Sequence, residues 1–164
     1  GKLEAGATVQ AMIAARPDAV FNATFGADLA KFVREGNMRG LFEGREVFSV
    51  LTGLPEYLDP LGDEAPEGWT VTGYPVEQID TPAHNAFRTA YEKSYGQPPK
   101  VGSLIGYSEM KALKAIIEKA GSTDTEALIA AARGTTFDAP IGPVTFRPQD
   151  HQSTFGFFIG KLAV

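Results

Sequence analysis

The side chains best suited to recognition chemistry gather at the end of one apolar run. From Arg16 to Gly26 the sequence reads Arg-Pro-Asp-Ala-Val-Phe-Asn-Ala-Thr-Phe-Gly. Asn22 brings an amide, Thr24 a hydroxyl and Phe25 an aromatic face. A small organic ligand needs such a set, a few polar contacts beside an apolar surface. The run rises from Pro17-Asp18, stops at Gly26 and passes at once into a helix-like segment, Ala27–Glu35. That pattern reads as a buried strand turning sharply into a helix. Ligands of open α/β sheets sit at the carboxyl ends of the strands. Thr52 closes a second strand-like run, Glu46–Thr52, and joins the candidates on the same ground. Tyr74 precedes a proline-broken stretch, where hinge packing and cleft lining both stay open.

Other chemistries lack their residues. Zero cysteines exclude disulfides and thiolate metal sites. The two histidines, His84 and His151, have no companion at metal-ligand spacing. Ser49, Asp80 and His84 show no spacing that sets a base against a nucleophile. Asp63, Glu64 and Glu67 read as a solvated acidic loop. The glycines at 36, 40, 44 and 53 do not fall between one strand and one helix, as a dinucleotide fingerprint requires. No catalytic residue, metal or cofactor is expected. A net charge of -5 leaves no basic stripe for a nucleic-acid partner. No apolar run approaches the roughly 20 residues of a membrane helix, so the chain is not expected to be membrane-embedded. Gly1-Lys2-Leu3-Glu4 is not followed by an apolar leader, which fits a processed or truncated start.

The elements that must position the candidates follow from periodicity. Thr8–Ala15 carries Val9, Met12 and Ile13 at helical spacing, and Pro17 ends it. Asp18–Thr24 is a strand, and Ala27–Glu35 an amphipathic helix with Leu29, Phe32 and Val33 inward and Gly36 as its cap. Asn37–Gly44 turns, with Leu41 and Phe42 tucked in. Glu46–Thr52 is a strand, Leu54–Leu61 a short helix and Trp69–Tyr74 a third strand. This alternation predicts a parallel sheet flanked by helices, an α/β fold. Beyond a crossing at Tyr74–Pro82 the character changes to helices. Ala83–Tyr95 is capped by Thr81. Val101–Ala120 carries a stripe of Leu104, Tyr107, Met110, Leu113, Ile116 and Ile117, with Tyr107 read as core. Thr125–Arg133 is capped by Thr123 or Asp124. Ile141–Phe146 and Thr154–Leu162 are short strands, forming either a hairpin or a second crossing.

This order of elements resembles the C-terminal half of a type I periplasmic substrate-binding protein of the branched-chain amino-acid class. The resemblance rests on Pro17-Asp18-Ala19-Val20-Phe21, Glu67-Gly68, Tyr91–Gly96 with Pro98, Gly106-Tyr107 followed by Ala112-Leu113 and Ala120-Gly121-Ser122, and Gly142–Arg147 with Asp150-His151-Gln152. It implies a partial two-lobe structure. Residues 1–73 would belong to the second lobe, 74–154 would return to the first, and 155–164 would cross back. It also implies that Phe25 stands where members place a pocket-lining aromatic residue. Their acid for a ligand ammonium matches Val50-Leu51-Thr52, which holds no carboxylate. An aromatic acid, another carboxylate or an amide-like ligand therefore stands beside an α-amino acid. A third contact falls near Gly102-Ser103, where Ser103 can donate a hydrogen bond.

The expected function is that of a non-enzymatic solute receptor, periplasmic or extracellular, closing on a small organic ligand and delivering it to an ABC permease. A ligand-sensing domain of a regulator or membrane receptor is the alternative. Apolar surface left open by a half-length chain is expected to favour self-association, and the isolated chain to bind ligand weakly or not at all.

Overall fold

The computed structural model describes residues 2–163. The chain divides into two compact units, one comprising the residues through Pro75 and those from Phe157 onward, the other Val76–Gly156.

In the first unit helices and strands alternate: α1 (Ala5–Ala15), β1 (Ala19–Asn22), α2 (Gly26–Met38), β2 (Glu46–Gly53), α3 (Pro55–Leu61) and β3 (Thr70–Gly73). Strands β1, β2 and β3 are parallel neighbours, with Val20 beside Val47 and Ser49 beside Val71. The last element, β6 (Phe158–Lys161), pairs antiparallel with β3 and completes the order β1-β2-β3-β6. Alternation along each strand sends Val20, Val47 and Val71 to one face. There they meet Val9 of α1, Leu29, Phe32 and Val33 of α2, and Leu61 of α3. Full burial of a residue such as Leu29 contributes roughly 1.5–3 kcal/mol. The opposite face carries Phe21 stacked on Phe48, centroids 5.7 Å apart, with Phe21 68% exposed.

Gly36 lies inside α2 rather than capping it. A side chain there would meet the Phe42 ring at 2.2 Å, so the glycine is needed for close packing. Helix α2 runs on to Met38, and Phe42 wedges between Phe32 and Trp69.

The second unit holds α4 (Pro82–Tyr95), α5 (Val101–Ala120), α6 (Thr125–Ala132) and the antiparallel pair β4 (Thr136–Ala139) and β5 (Gly142–Thr145). Thr81 caps α4, its hydroxyl accepting from the His84 backbone N–H at 3.3 Å, and Asp124 caps α6. Ile141–Phe146 forms its hairpin with β4, and the segment after Thr154 leaves this unit to become β6. Both arrangements open for these segments occur: Phe146 bridges Ser153 antiparallel and the Thr154 N–H donates to the Thr145 carbonyl around the turn, and the chain beyond then crosses to pair with β3. The long stripe of α5 also divides. Leu104, Ser108 and Ala112 are buried, whereas Tyr107, Met110 and Leu113 are 46%, 65% and 44% exposed. Tyr107 is thus not core: β4 and β5 cover the Ala112 side, and the Tyr107 side looks into an open groove.

Candidate functional site

The carboxyl ends of β1 and β2 form a single polar cluster inside the first unit. Asn22 is 2% exposed, and Ser49 and Thr52 are fully buried. The Asn22 amide nitrogen donates to Ser49 Oγ at 3.0 Å, and Ser49 Oγ lies 2.7 Å from Thr52 Oγ1. The Asn22 amide oxygen accepts twice from the next turn of chain, from the Thr24 backbone N–H at 3.0 Å and from the Thr24 hydroxyl at 2.7 Å. Buried polar groups persist only when bonded, and these bond to one another. The cluster ties the end of β1 to β2 and fixes the turn that leads into α2.

Phe25 follows on that turn. It is extended at φ −144° and ψ 167°, occupies the N-cap position of α2 and is 71% exposed. Gly26 next to it has φ +61°, a conformation that favours glycine. Its N–H donates to the Tyr57 hydroxyl of α3 at 3.4 Å. Asn22, Thr24 and Thr52 thus belong to one neutral hydrogen-bonded cluster, and the exposed Phe25 follows it on the turn. Tyr74 is 2% exposed, and its N–H donates to the Gly53 carbonyl at 3.3 Å. That bond is possible because β2 and β3 end on facing glycines. A side chain on Gly53 would stand 2.6 Å from the Thr72 carbonyl, and one on Gly73 as close to that of Gly53.

Ser103 belongs to the second unit, in the first turn of α5. It lines a cavity of about 690 Å³ with Phe87, Tyr91, Tyr95 and Tyr107. Two tilted aromatic pairs lie along it, Phe87 with Tyr107 at 4.9 Å and Tyr91 with Tyr95 at 4.5 Å between centroids.

Ser49 is the residue that sequence reasoning did not place in the site. Its signal was present: it shares the core-facing side of β2 with Val47, and a polar residue on an apolar face implies a buried partner. Among the described residues the Ser49 hydroxyl bonds Asn22 and Thr52. Asp80 accepts from the Asn85 side chain, and His84 is fully buried. Burial holds the His84 imidazole below its ordinary pKa, helped by the charge of Arg88 and opposed by a hydrogen bond to the Ile79 backbone. Glu56, in the first turn of α3 just beyond the end of β2, is half-buried, with its Oε2 closed off from solvent. Among the described residues no group of three or more His, Cys, Asp or Glu side chains is arranged to hold a metal, and no helix is long and apolar enough to cross a membrane.

A comparison with curated proteins found no match. Solved structures do match. A solute-binding protein of an ABC transporter from Rhodopseudomonas palustris BisB5, in complex with 3,4-dihydroxybenzoic acid, is 25% identical with a TM-score of 0.81. The match covers 98% of this chain and 45% of that one. An ABC-type branched-chain amino acid transporter protein from Rhodopseudomonas palustris CGA009 is 27% identical, with a TM-score of 0.70 over 94% of this chain and 42% of that one. A leucine-binding protein from Thermotoga maritima shares the fold at 21% identity and a TM-score of 0.79, with 99% of this chain and 49% of that one covered. The chain spans less than half the length of each. The family model for periplasmic binding proteins matches residues 1–163. A match of that extent, on a fold shared with solved solute receptors, makes this chain a member of the periplasmic binding protein family.

Proposed function

We propose that this chain supplies one ligand-holding wall of a solute receptor that serves an ABC permease from the periplasm or cell surface, and that its ligand is an aromatic acid. The observation that carries the ligand class is the neutrality of the strand-end cluster. Asn22, Ser49 and Thr52 satisfy one another, and no carboxylate belongs to this bonded set; the one that follows β2, Glu56, lies in the first turn of α3. A buried ammonium without an anionic partner or several oxygen partners is strongly disfavoured. A planar acid makes no such demand, and the exposed ring of Phe25 offers it an offset stacking surface. The relative that holds 3,4-dihydroxybenzoic acid supports the same class. Phe25 and Thr24 would touch the ligand, with Asn22, Thr52 and Tyr74 fixing the wall.

Mass spectrometry of the small molecule that co-purifies with the full receptor polypeptide tests this reading. An aromatic carboxylate is expected. Recovery of an α-amino acid would overturn the ligand class and leave the receptor assignment standing.

A further inference from the structure

The strand-end cluster has a fixed hydrogen-bond polarity. The Thr24 backbone N–H can only donate, so the Asn22 atom 3.0 Å from it must be the amide oxygen. The amide nitrogen then faces Ser49 Oγ, as its 3.0 Å contact requires. No alternative flip of Asn22 satisfies both neighbours. The amide oxygen carries no proton. The Thr24 hydroxyl, 2.7 Å from that oxygen, must therefore be the donor in their bond. Its single proton points into the protein, and its lone pairs remain.

We propose that Thr24 is a specificity-determining acceptor, which presents only lone pairs to the ligand and selects a ligand that brings a donor, such as a phenolic O–H, to the end of β1. This rests on the aromatic-acid reading and deepens it. Thr24 is half-buried and is followed directly by the exposed Phe25, and in the proposed pose a ligand stacked on that ring turns its polar substituent to the hydroxyl oxygen. A carboxylate placed there would meet lone pairs with lone pairs. The acid end of the ligand must point elsewhere, and the hydroxyl end toward β1. Asn22 acts through Thr24 as a positioning residue, and Ser49 holds Asn22 in place.

The test compares 4-hydroxybenzoate, benzoate and 4-methoxybenzoate by calorimetry on the full receptor polypeptide. The methoxy compound keeps the oxygen but loses the donor. The 4-hydroxy compound is expected to bind about tenfold tighter than the other two, the worth of one neutral hydrogen bond. Thr24→Val should remove that preference and Thr24→Ser should keep it. Equal binding of the three acids, or a preference that survives Thr24→Val, overturns the inference while leaving the aromatic-acid reading intact. Failure of all three to bind overturns both. A second measurement needs no ligand. In the 164-residue chain the Thr24 hydroxyl proton should be seen by NMR as protected from exchange; a freely exchanging proton overturns the assigned polarity.

Discussion

Ser49 is a small residue on which several larger ones depend. It accepts from Asn22 and bonds Thr52 with no access to water. Ser49→Ala leaves the buried amide nitrogen of Asn22 without an acceptor, a loss of roughly 1–3 kcal/mol. Urea denaturation followed by circular dichroism should show a lower midpoint with an unchanged slope. The sequence places Asn22, Thr24, Phe25 and Thr52 at strand ends because period and punctuation mark where strands stop. It does not say which of their atoms bond to one another. Strand register settles that, and the register that sets Asn22 beside Ser49 comes from a pairing across the α2 connection.

Helix α4 shows how an element carries a condition on its surroundings. His84 sits fully buried in its first turn, with Phe87 one turn on and Arg88 adding positive charge. Burial depresses the imidazole pKa, so protonation is easier in the unfolded chain than in the folded one. Between the folded value and the ordinary value near 6.5 the unfolded state binds more protons, and stability rises with pH. The contribution is complete above about pH 6.5 and is lost as pH falls through the depressed value. His84→Gln should flatten the pH dependence of stability below about pH 6.5, read as thermal midpoints across a pH series. Long periodic elements were legible in the residues, and α5 spans Val101–Ala120 as its pattern predicts. Strand β4 was not, because Thr-Phe-Asp-Ala supplies a single large apolar residue and takes its strand character from pairing with β5. Gly36 was misread for a related reason. A glycine near the end of a helical pattern signals a cap, and only the packed structure shows the Phe42 ring lying against it.

Large apolar side chains are exposed on both units. Phe21 and Ile159 are exposed on the first unit, at 68% and 66%, and Tyr95 and Met110 on the second, at 67% and 65%. Monomeric proteins seldom expose contiguous patches of this kind. The isolated chain is accordingly expected to associate with itself as concentration rises. Phe21→Lys puts a charge on the open face of the sheet and should weaken that association without loss of secondary structure. Sedimentation velocity across a concentration series checks it, and a sedimentation coefficient equally concentration-dependent in the variant would exclude this face as the contact. The change in character after Tyr74 was legible in the residues, while the surfaces left open could be seen only once the helices had been placed.

Strand β6 has a consequence for how the molecule comes into being. Its partner β3 is synthesised long before it, and the whole of the second unit is made in between. On the ribosome, β1, β2 and β3 can pair as soon as they emerge, but the outer edge of β3 stays open until β6 has followed the whole of the second unit. Closing so long a loop carries an entropic cost that local helix formation does not. The first unit therefore begins to fold before the second is made and is completed only after it. A chain ending at Gly156 would keep every residue of the strand-end cluster and still present β3 as an unpaired edge to other chains.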